Sequence, residues 1–226
     1  MQHPEITAFR ISPSMENYLK TIYRLTAKND TVSTSTLAKQ MKCSAASVTN
    51  MLQKLSNLKL VNYERYQGVT LTLAGDKIAL ETIRHHRLIE LYLTEVLGYS
   101  WDKVHDEAEQ LEHVISEEFE ERIDKALGYP TLDPHGDPIP TKEGKIEHQS
   151  FHSLWETKIG KEVQVAHVSD GSPEVLRYLG SIGIFPKVKI HVTQKDSPKG
   201  PVYIKIENTT YLLGEELARQ IFVITI

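Results

Sequence analysis

Residues 44–73 read SAASVTNMLQKLSNLKLVNYERYQGVTLTL, two kinds of periodicity laid end to end. In the first half Val48, Leu52, Leu55 and Leu58 recur at three- and four-residue steps behind Ser44, which predicts a serine-capped helix over 44–58. In the second half Val61, Tyr63, Val69, Leu71 and Leu73 alternate with polar residues about a Gln67-Gly68 turn, which predicts a hairpin. Toward the N-terminus, Leu37, Ala38 and Met41 place a short helix near 35–41, parted from the next by Cys43-Ser44. Earlier still, Ser12-Pro13-Ser14 supplies a cap and an N1 proline to a helix bearing Met15, Leu19, Ile22 and Leu25, with Asn29-Asp30-Thr31 as the break behind it. Three helices, the last two joined by a tight turn, followed by a hairpin make a winged helix-turn-helix over 1–75. The competing reading is a small helical core with an incidental hairpin.

Downstream, residues 72–75 lead into a long helix through Ile78, Ile83, Leu88, Leu91 and Leu97, stopped by Gly98. Ser100 is placed to cap a second long helix whose stripe is Val104, Ala108, Leu111, Ile115, Phe119, Ile123 and Leu127, ended by Gly128-Tyr129-Pro130. Apolar faces this wide exceed what a small winged domain covers, so self-association as a homodimer is expected. The Pro-rich stretch 130–144, PTLDPHGDPIPTKEG, reads as an extended linker. Beyond it, strand-like runs at 162–168, 188–194, 202–207 and 220–226 surround a short helix near 173–180. The expected fold is therefore mainly α with a small β domain: winged helix at 1–75, helical dimerisation and metal-binding domain at 76–145, and an SH3-like β-barrel at 151–226.

Hydrophobic residues at 40% and charged residues at 25% are the balance of a folded chain, which sets disorder aside. No run approaches the roughly 18 apolar residues of a membrane span, and the N-terminal stretch lacks the apolar core of a signal peptide, so a cytoplasmic protein is expected. One cysteine, Cys43, excludes an internal disulfide and a multi-cysteine zinc site. Any metal must then be held by nitrogen and oxygen. The net charge of −4 conceals a polarity: residues 1–75 carry 9 basic against 4 acidic side chains, 76–150 carry 8 against 18, and 151–226 carry 9 against 8. A basic head on an acidic middle suits one segment that meets phosphates and another that holds cations. The acidic third also contains His85, His86, His105, His113, His135 and His148.

On the second long helix, His105, Glu109, Glu112 and His113 share one narrow face, at offsets 0, 4, 7 and 8. His86 and Glu90 are likewise cofacial on the first. Imidazoles and carboxylates that converge in this way bind divalent cations. The same spacing also occurs in solvated helix faces laced with weak i to i+4 pairs, and spacing alone does not separate the two.

The stretches SMENYLKTIYRL (14–25), HHRLIE (85–90), VHDEAEQLEH (104–113) and PHGDPIP (134–140) resemble the diphtheria toxin repressor family of metal-dependent transcriptional regulators, and in particular its manganese transport regulator branch. The likeness covers nearly the whole chain and includes a C-terminal part similar to SH3-like FeoA modules. It implies a repressor of metal-uptake genes, homodimeric, that binds a double-stranded DNA operator with Mn²⁺ or Fe²⁺ as effector. A primary metal site is implied at Asn17, Glu109, Glu112 and His113, and a second at His86, Glu90 and His105, joined by Asp133 and His135 from the linker motif. Asp170 and Glu174 are the candidates from the C-terminal domain. The chain departs from the family at three positions. Glu109 stands where iron-type members have cysteine and manganese-type members have glutamate, Asn17 where the family usually has Asp or Met, and Lys20 where some manganese members are acidic. An all-nitrogen and oxygen donor set suits a hard ion such as Mn²⁺, with Fe²⁺ close behind.

For DNA, the resemblance points to 44–58 as the recognition helix. Ser44, Ser47, Thr49 and Asn50 face the groove, and Lys39, Lys42, Lys54 and Arg65 contact phosphates; small hydroxyls reach phosphates and Asn pairs with adenine edges. A metallohydrolase is the rival enzyme reading, but no HExxH is present and no nucleophile or base stands apart from the candidate ligands, so the chain reads as a non-enzyme. A metal-storage protein fits poorly with the basic first third. The remaining alternative is a winged-helix regulator that senses an organic ligand without metal.

Overall fold

The computed structural model describes residues 11–26, 31–146, 150–195 and 200–226. Asn29, Asp30 and His148 lie outside the described residues. The described residues form two compact units, one of those up to Ile83 with 142–145 and one of 84–141 with those from Ile146 on.

The first unit contains α1 (Pro13–Thr26), α2 (Thr34–Gln40), α3 (Ala45–Asn57), β1 (Val61–Glu64), β2 (Gly68–Leu71) and the start of α4 (Leu73–Glu95). Ser33 caps α2 by accepting from the Thr36 amide, and Ser44 caps α3 by accepting from the Ser47 amide. The predicted apolar stripes all turn inward: Leu19, Ile22, Leu37, Val48, Leu52 and Leu55 are fully buried in one core. The hairpin registers Val61 with Leu71 and Tyr63 with Val69. Val32 then exchanges both backbone hydrogen bonds with Val69, at 3.1 and 2.9 Å, which fastens the hairpin to the segment before α2. Gly75 has no room for a side chain, since a Cβ there would lie 2.0 Å from the Leu60 carbonyl oxygen. Leu73, read as the last strand residue, instead begins α4 and is exposed, because the Thr72 hydroxyl accepts from the Gly75 amide and starts the helix there.

The second unit contains the rest of α4, α5 (Val104–Leu111), α6 (Glu117–Ala126), the stretch 130–141 and the C-terminal sheet. The single helix expected over 100–127 is two. Glu112 ends α5 and Ser116 caps α6, accepting from the Phe119 amide. The helix also starts later than expected, at Val104, and the Ser100 hydroxyl donates to the Asp102 carboxylate instead. Arg84 of α4 holds α6 in place. Its guanidinium donates to Glu120 Oε1 at 2.5 Å, Asp124 Oδ2 at 2.6 Å and the Pro140 carbonyl at 2.8 Å, all in the interior.

The sheet is antiparallel, in the order β3 (His152–Ser153), β8 (Ile221–Thr225), β4 (Glu162–Val168), β5 (Lys189–Lys195), β6 (Val202–Ile206) and β7 (Thr209–Leu213). Its edges β3 and β7 do not pair among the described residues, so it is open where a closed barrel was expected. Helix α7 (Pro173–Ser181) packs Leu176 and Leu179 into the sheet's core, and α8 (Glu215–Ala218) adds Ala218. Trp101, from the turn before α5, enters the same core, which joins the helical part of this unit to the sheet. The stretch 130–141 is more than a spacer: Leu132 bridges Pro138, and Asp133, His135 and Ile139 are buried. Among the described residues no helix is long and apolar enough to cross a membrane.

Candidate metal centre

Four elements of the second unit bring their polar side chains together. Helix α4 supplies His86 and Glu90, one turn apart and both fully buried. Helix α5 supplies His105, the loop after β4 supplies Asp170, and the stretch 130–141 supplies Asp133 and His135. Ligand atoms of His86, Glu90, His105 and Asp170 lie within 4.8 Å of one another, and so do those of Glu90, Asp133 and His135. Glu90 belongs to both groups. Its Oε1 is 2.9 Å from His86 Nε2 and 3.3 Å from His105 Nδ1, while its Oε2 is 3.8 Å from His135 Nδ1. His86 Nε2 and His105 Nδ1 are 3.1 Å apart, and Asp170 Oδ2 is 3.6 Å from His105 Nδ1.

Local chain geometry fixes the less regular of these ligands. Asp133 Oδ1 accepts from the amides of His135 (2.8 Å) and Asp137 (2.9 Å), an Asx-type turn that folds 133–137 back on itself. Gly136 at the turn has φ +90°, and a Cβ there would meet the Ala166 carbonyl oxygen at 2.1 Å. The His135 carbonyl accepts from the Val168 amide at 2.9 Å, which ties the turn to β4. Arg87, on α4, reaches Asp133 Oδ2 at 3.6 Å and Asp137 Oδ1 at 3.5 Å.

The donor chemistry fits a cation. His86 Nδ1 faces Glu112 Oε2 at 2.5 Å, and His135 Nε2 faces the Trp101 carbonyl at 2.8 Å. Each of these partners only accepts, so each histidine places its proton outward and turns a lone pair toward Glu90, whose oxygens carry lone pairs too. Such a convergence is repulsive unless a proton or a metal ion lies within it. Glu90 Oε2 and His135 Nδ1 are buried with no hydrogen-bond partner.

Titration behaviour agrees. Burial opposes ionisation of Glu90, but the charge of His86 and the nearby His105 and His135 rings outweigh it and hold the carboxyl well below the usual range. Burial also disfavours the cation of His135, yet the adjoining Glu90 carboxylate, with Asp133 and the Trp101 carbonyl, pushes its pKa up to about 9. Asp133 is raised to about 8, first by burial and then by Asp137 and Glu90. Protons thus occupy the centre in the ion-free chain.

The other expected ligands are placed as follows. Glu109 Oε1 is 3.7 Å from His105 Nε2, on the outer side of that ring. Glu112, the C-cap of α5, gives Oε2 to His86 and has Oε1 3.3 Å from His113 Nε2. Glu174 lies outside both groups, exposed on the first turn of α7 and hydrogen-bonded to Ser172 and Arg177. Asn17 sits on α1 in the first unit, and its Oδ1 is buried without a hydrogen-bond partner. Sequence reading missed Arg87 and the Trp101 carbonyl. The repeated Asp of Asp133 and Asp137 was a signal for a nearby cation such as Arg87, whereas a main-chain acceptor leaves no trace in composition.

Residues 10–69 match the model for the iron dependent repressor N-terminal DNA binding domain, 72–141 its metal binding and dimerisation domain, and 152–225 the FeoA domain. The iron-dependent repressor IdeR of Mycobacterium leprae is 32% identical over 222 residues, 91% of this chain and 94% of that protein. The chain belongs to the iron-dependent repressor family. Among solved structures it is similar to a manganese-dependent transcriptional repressor in complex with manganese, with TM-score 0.86, 39% identity, and coverage of 94% of this chain and 100% of that one. ScaR with bound Cd²⁺ follows at TM-score 0.79 and 33% identity, covering 94% and 99%. The diphtheria toxin repressor of Corynebacterium diphtheriae is 35% identical over 125 residues, 55% of each chain.

Within the family's DNA-binding domain, the expected DNA residues are disposed on and about α3. Asn50, Lys39, Lys42, Lys54 and Arg65 are exposed. Ser44 is occupied as the cap, with its hydroxyl 2.9 Å from that of Ser47, and Thr49 donates to the Ala45 carbonyl at 2.9 Å. On α3, Ser47, Asn50 and Lys54 are the exposed residues of this set, with Asn50 carrying the amide.

Proposed function

We propose that this chain is a cytoplasmic, metal-dependent, DNA-binding transcriptional repressor of metal-uptake genes, with Mn²⁺ (or Fe²⁺) as its effector. The observation that carries the reading is the buried convergence of His86, Glu90, His105, Asp133, His135 and Asp170 in a chain whose basic end is a winged helix-turn-helix. The donors are imidazole and carboxylate without thiolate, the set preferred by Mn²⁺ and Fe²⁺ over softer ions. When bound, the ion supplies the positive charge that the facing lone pairs require. These residues come from α4, α5, the stretch 130–141 and the loop after β4, so holding an ion orders all four, and α4 runs on without a break into the DNA-binding unit. Asn50 reads base edges, with Ser44, Ser47 and Thr49 beside it; Lys39, Lys42, Lys54 and Arg65 contact phosphates.

Three domains, 1–75, 76–145 and an SH3-like module at 151–226, account for the family matches. Exposed apolar side chains on α4, α5, α6 and their connections, among them Leu97, Leu111, Val114 and Phe119, fit the surface through which two copies form a homodimer. A mobility-shift titration on fragments upstream of metal-transport genes tests the reading. Retardation should appear with Mn²⁺ or Fe²⁺ and vanish with chelator, and equal binding in both conditions would leave an organic effector as the better account.

A further inference from the structure

Asp133 and His135 reach the ligand cluster on an irregular turn, and one side chain of α4 grips that turn. We propose that Arg87 is a positioning residue, which pins the turn 133–138 to α4 so that Asp133 and His135 meet Glu90 as ligands of a divalent ion; this rests on the metal reading above. Arg87 follows His86 directly and precedes Glu90 by three residues, so it leaves α4 on the flank of the ligand face. Its Nη1 donates to the Pro138 carbonyl, its Nε lies 3.6 Å from Asp133 Oδ2 and its Nη2 3.5 Å from Asp137 Oδ1, with the side chain largely buried. A planar guanidinium thus reaches the first residue of the turn and its last two at once, which a lysine ammonium can do only in part.

The turn needs such a grip because it gathers like charge. Asp133 Oδ1 accepts from the Asp137 amide, which folds the two aspartates back on each other, and Glu90 belongs to the same group as Asp133. Asp137 and Glu90 both act against a charge on Asp133, whereas Arg87 and His135 act for it. Asp137 Oδ1 also faces His167 Nδ1, at 3.8 Å, but that ring is stacked on Phe222 and burial disfavours its charged form, so the countercharge comes from Arg87. The neighbouring group of His86, Glu90, His105 and Asp170 takes nothing from the turn. Loss of the guanidinium should therefore release Asp133 and His135 and leave His86 and His105 in place. Arg87 is itself a cation near an ion site, and repulsion alone would make its removal raise affinity; positioning predicts the opposite sign.

The test is long-range ¹H–¹⁵N NMR of the histidines in the full chain with and without diamagnetic Zn²⁺, together with Zn²⁺ and Mn²⁺ titrations, on wild type, Arg87→Met and Arg87→Lys. Methionine keeps an unbranched stem without charge, and lysine restores the charge. In the wild type Zn²⁺ should shift His86, His105 and His135, the last bound through Nδ1 because its Nε2 faces the Trp101 carbonyl at 2.8 Å. In Arg87→Met the His135 resonances should keep their ion-free positions at Zn²⁺ levels that still shift His86 and His105, which also certifies the fold. Affinity for both ions should fall about 10- to 100-fold, as on loss of an outer partner. Arg87→Lys should recover His135 ligation and part of that affinity. His135 bound in Arg87→Met as in wild type, equal loss of all three histidine shifts, no recovery in Arg87→Lys, or higher affinity without the charge overturns the role of Arg87 and leaves the metal reading standing. A wild type that binds neither ion overturns both.

Discussion

Glu90 Oε2 and His135 Nδ1 face each other across 3.8 Å in the interior, and neither has a hydrogen-bond partner. Buried polar atoms are rarely left in this way, because desolvation without a partner costs about 1–3 kcal/mol. A cation between them removes that cost. Glu90→Gln replaces one of the two carboxylate oxygens by an amide that cannot ligate. We expect Mn²⁺ affinity, measured by calorimetry, to fall by more than the roughly 10- to 100-fold that loss of an outer partner costs. Retained affinity would place the ion elsewhere.

The pH dependence of metal binding follows from the same residues. In the ion-free chain the pKa of His135 is pushed up to about 9 and that of Asp133 to about 8, so both carry protons at pH 7. Ligation requires both without them, and the ion must displace the protons. Mn²⁺ affinity should therefore rise from pH 6 to 8, by up to about two decades per pH unit, and level off above pH 9. Titrations in buffers of different ionisation enthalpy should count at least the two protons of His135 and Asp133 released at pH 7.

Arg84 predicts a stability effect remote from the ion. Its buried guanidinium joins Glu120, Asp124 and the Pro140 carbonyl, and Arg84→Ala strands Asp124 and leaves Glu120 with His85 alone. Loss of one partner of a buried pair costs about 3–5 kcal/mol, which urea denaturation of the ion-free chain should register. Glu120 has its pKa lowered to about 2, chiefly by the His85 hydrogen bond against burial, with Arg84 adding to it. A depressed carboxyl stabilises the fold above its unfolded pKa of about 4.3, and that contribution is lost as pH falls toward 2. Acid unfolding of the wild type should fall in that window.

On DNA, Asn50→Ala should relax preference at one base position by about 1–3 kcal/mol, because Asn pairs with an adenine edge. Lys42→Ala should weaken all sequences alike and reduce the salt dependence by about one ion. Competition binding over a set of single-base operator variants distinguishes them. Identical profiles for the two would move the recognition surface away from α3.

The first unit was legible because its periodicities are clean and the cap Ser44 sits where the stripe of α3 begins, whereas the Ser33 cap of α2 was not read. The break between α5 and α6 was not, since Ala108, Leu111, Ile115 and Phe119 continue one helical stripe. What ends the helix is tertiary, with His85 Nδ1 facing the Glu112 carbonyl at 3.1 Å and Ser116 free to cap anew. Of the sheet, β3 is two residues long and β7 buries little, so neither edge had a signal in the alternation. The centre was partly legible. Helical spacing paired His86 with Glu90 and His105 with Glu109, but the recruitment of Asp133 and His135 depends on the turn at Gly136 packing against β4. Residues 130–144, rich in proline, look like a linker until that contact is known.

The central claim is that one ion and one operator bind the same chain and favour one another. It is tested most directly by measuring operator affinity as a function of free Mn²⁺, and Mn²⁺ affinity with and without operator, by fluorescence anisotropy and calorimetry on the same preparation. The account predicts that Mn²⁺ tightens operator binding and that operator tightens Mn²⁺ binding by the same factor, as linkage requires. Operator affinity that is constant from chelator to saturating Mn²⁺ would contradict it.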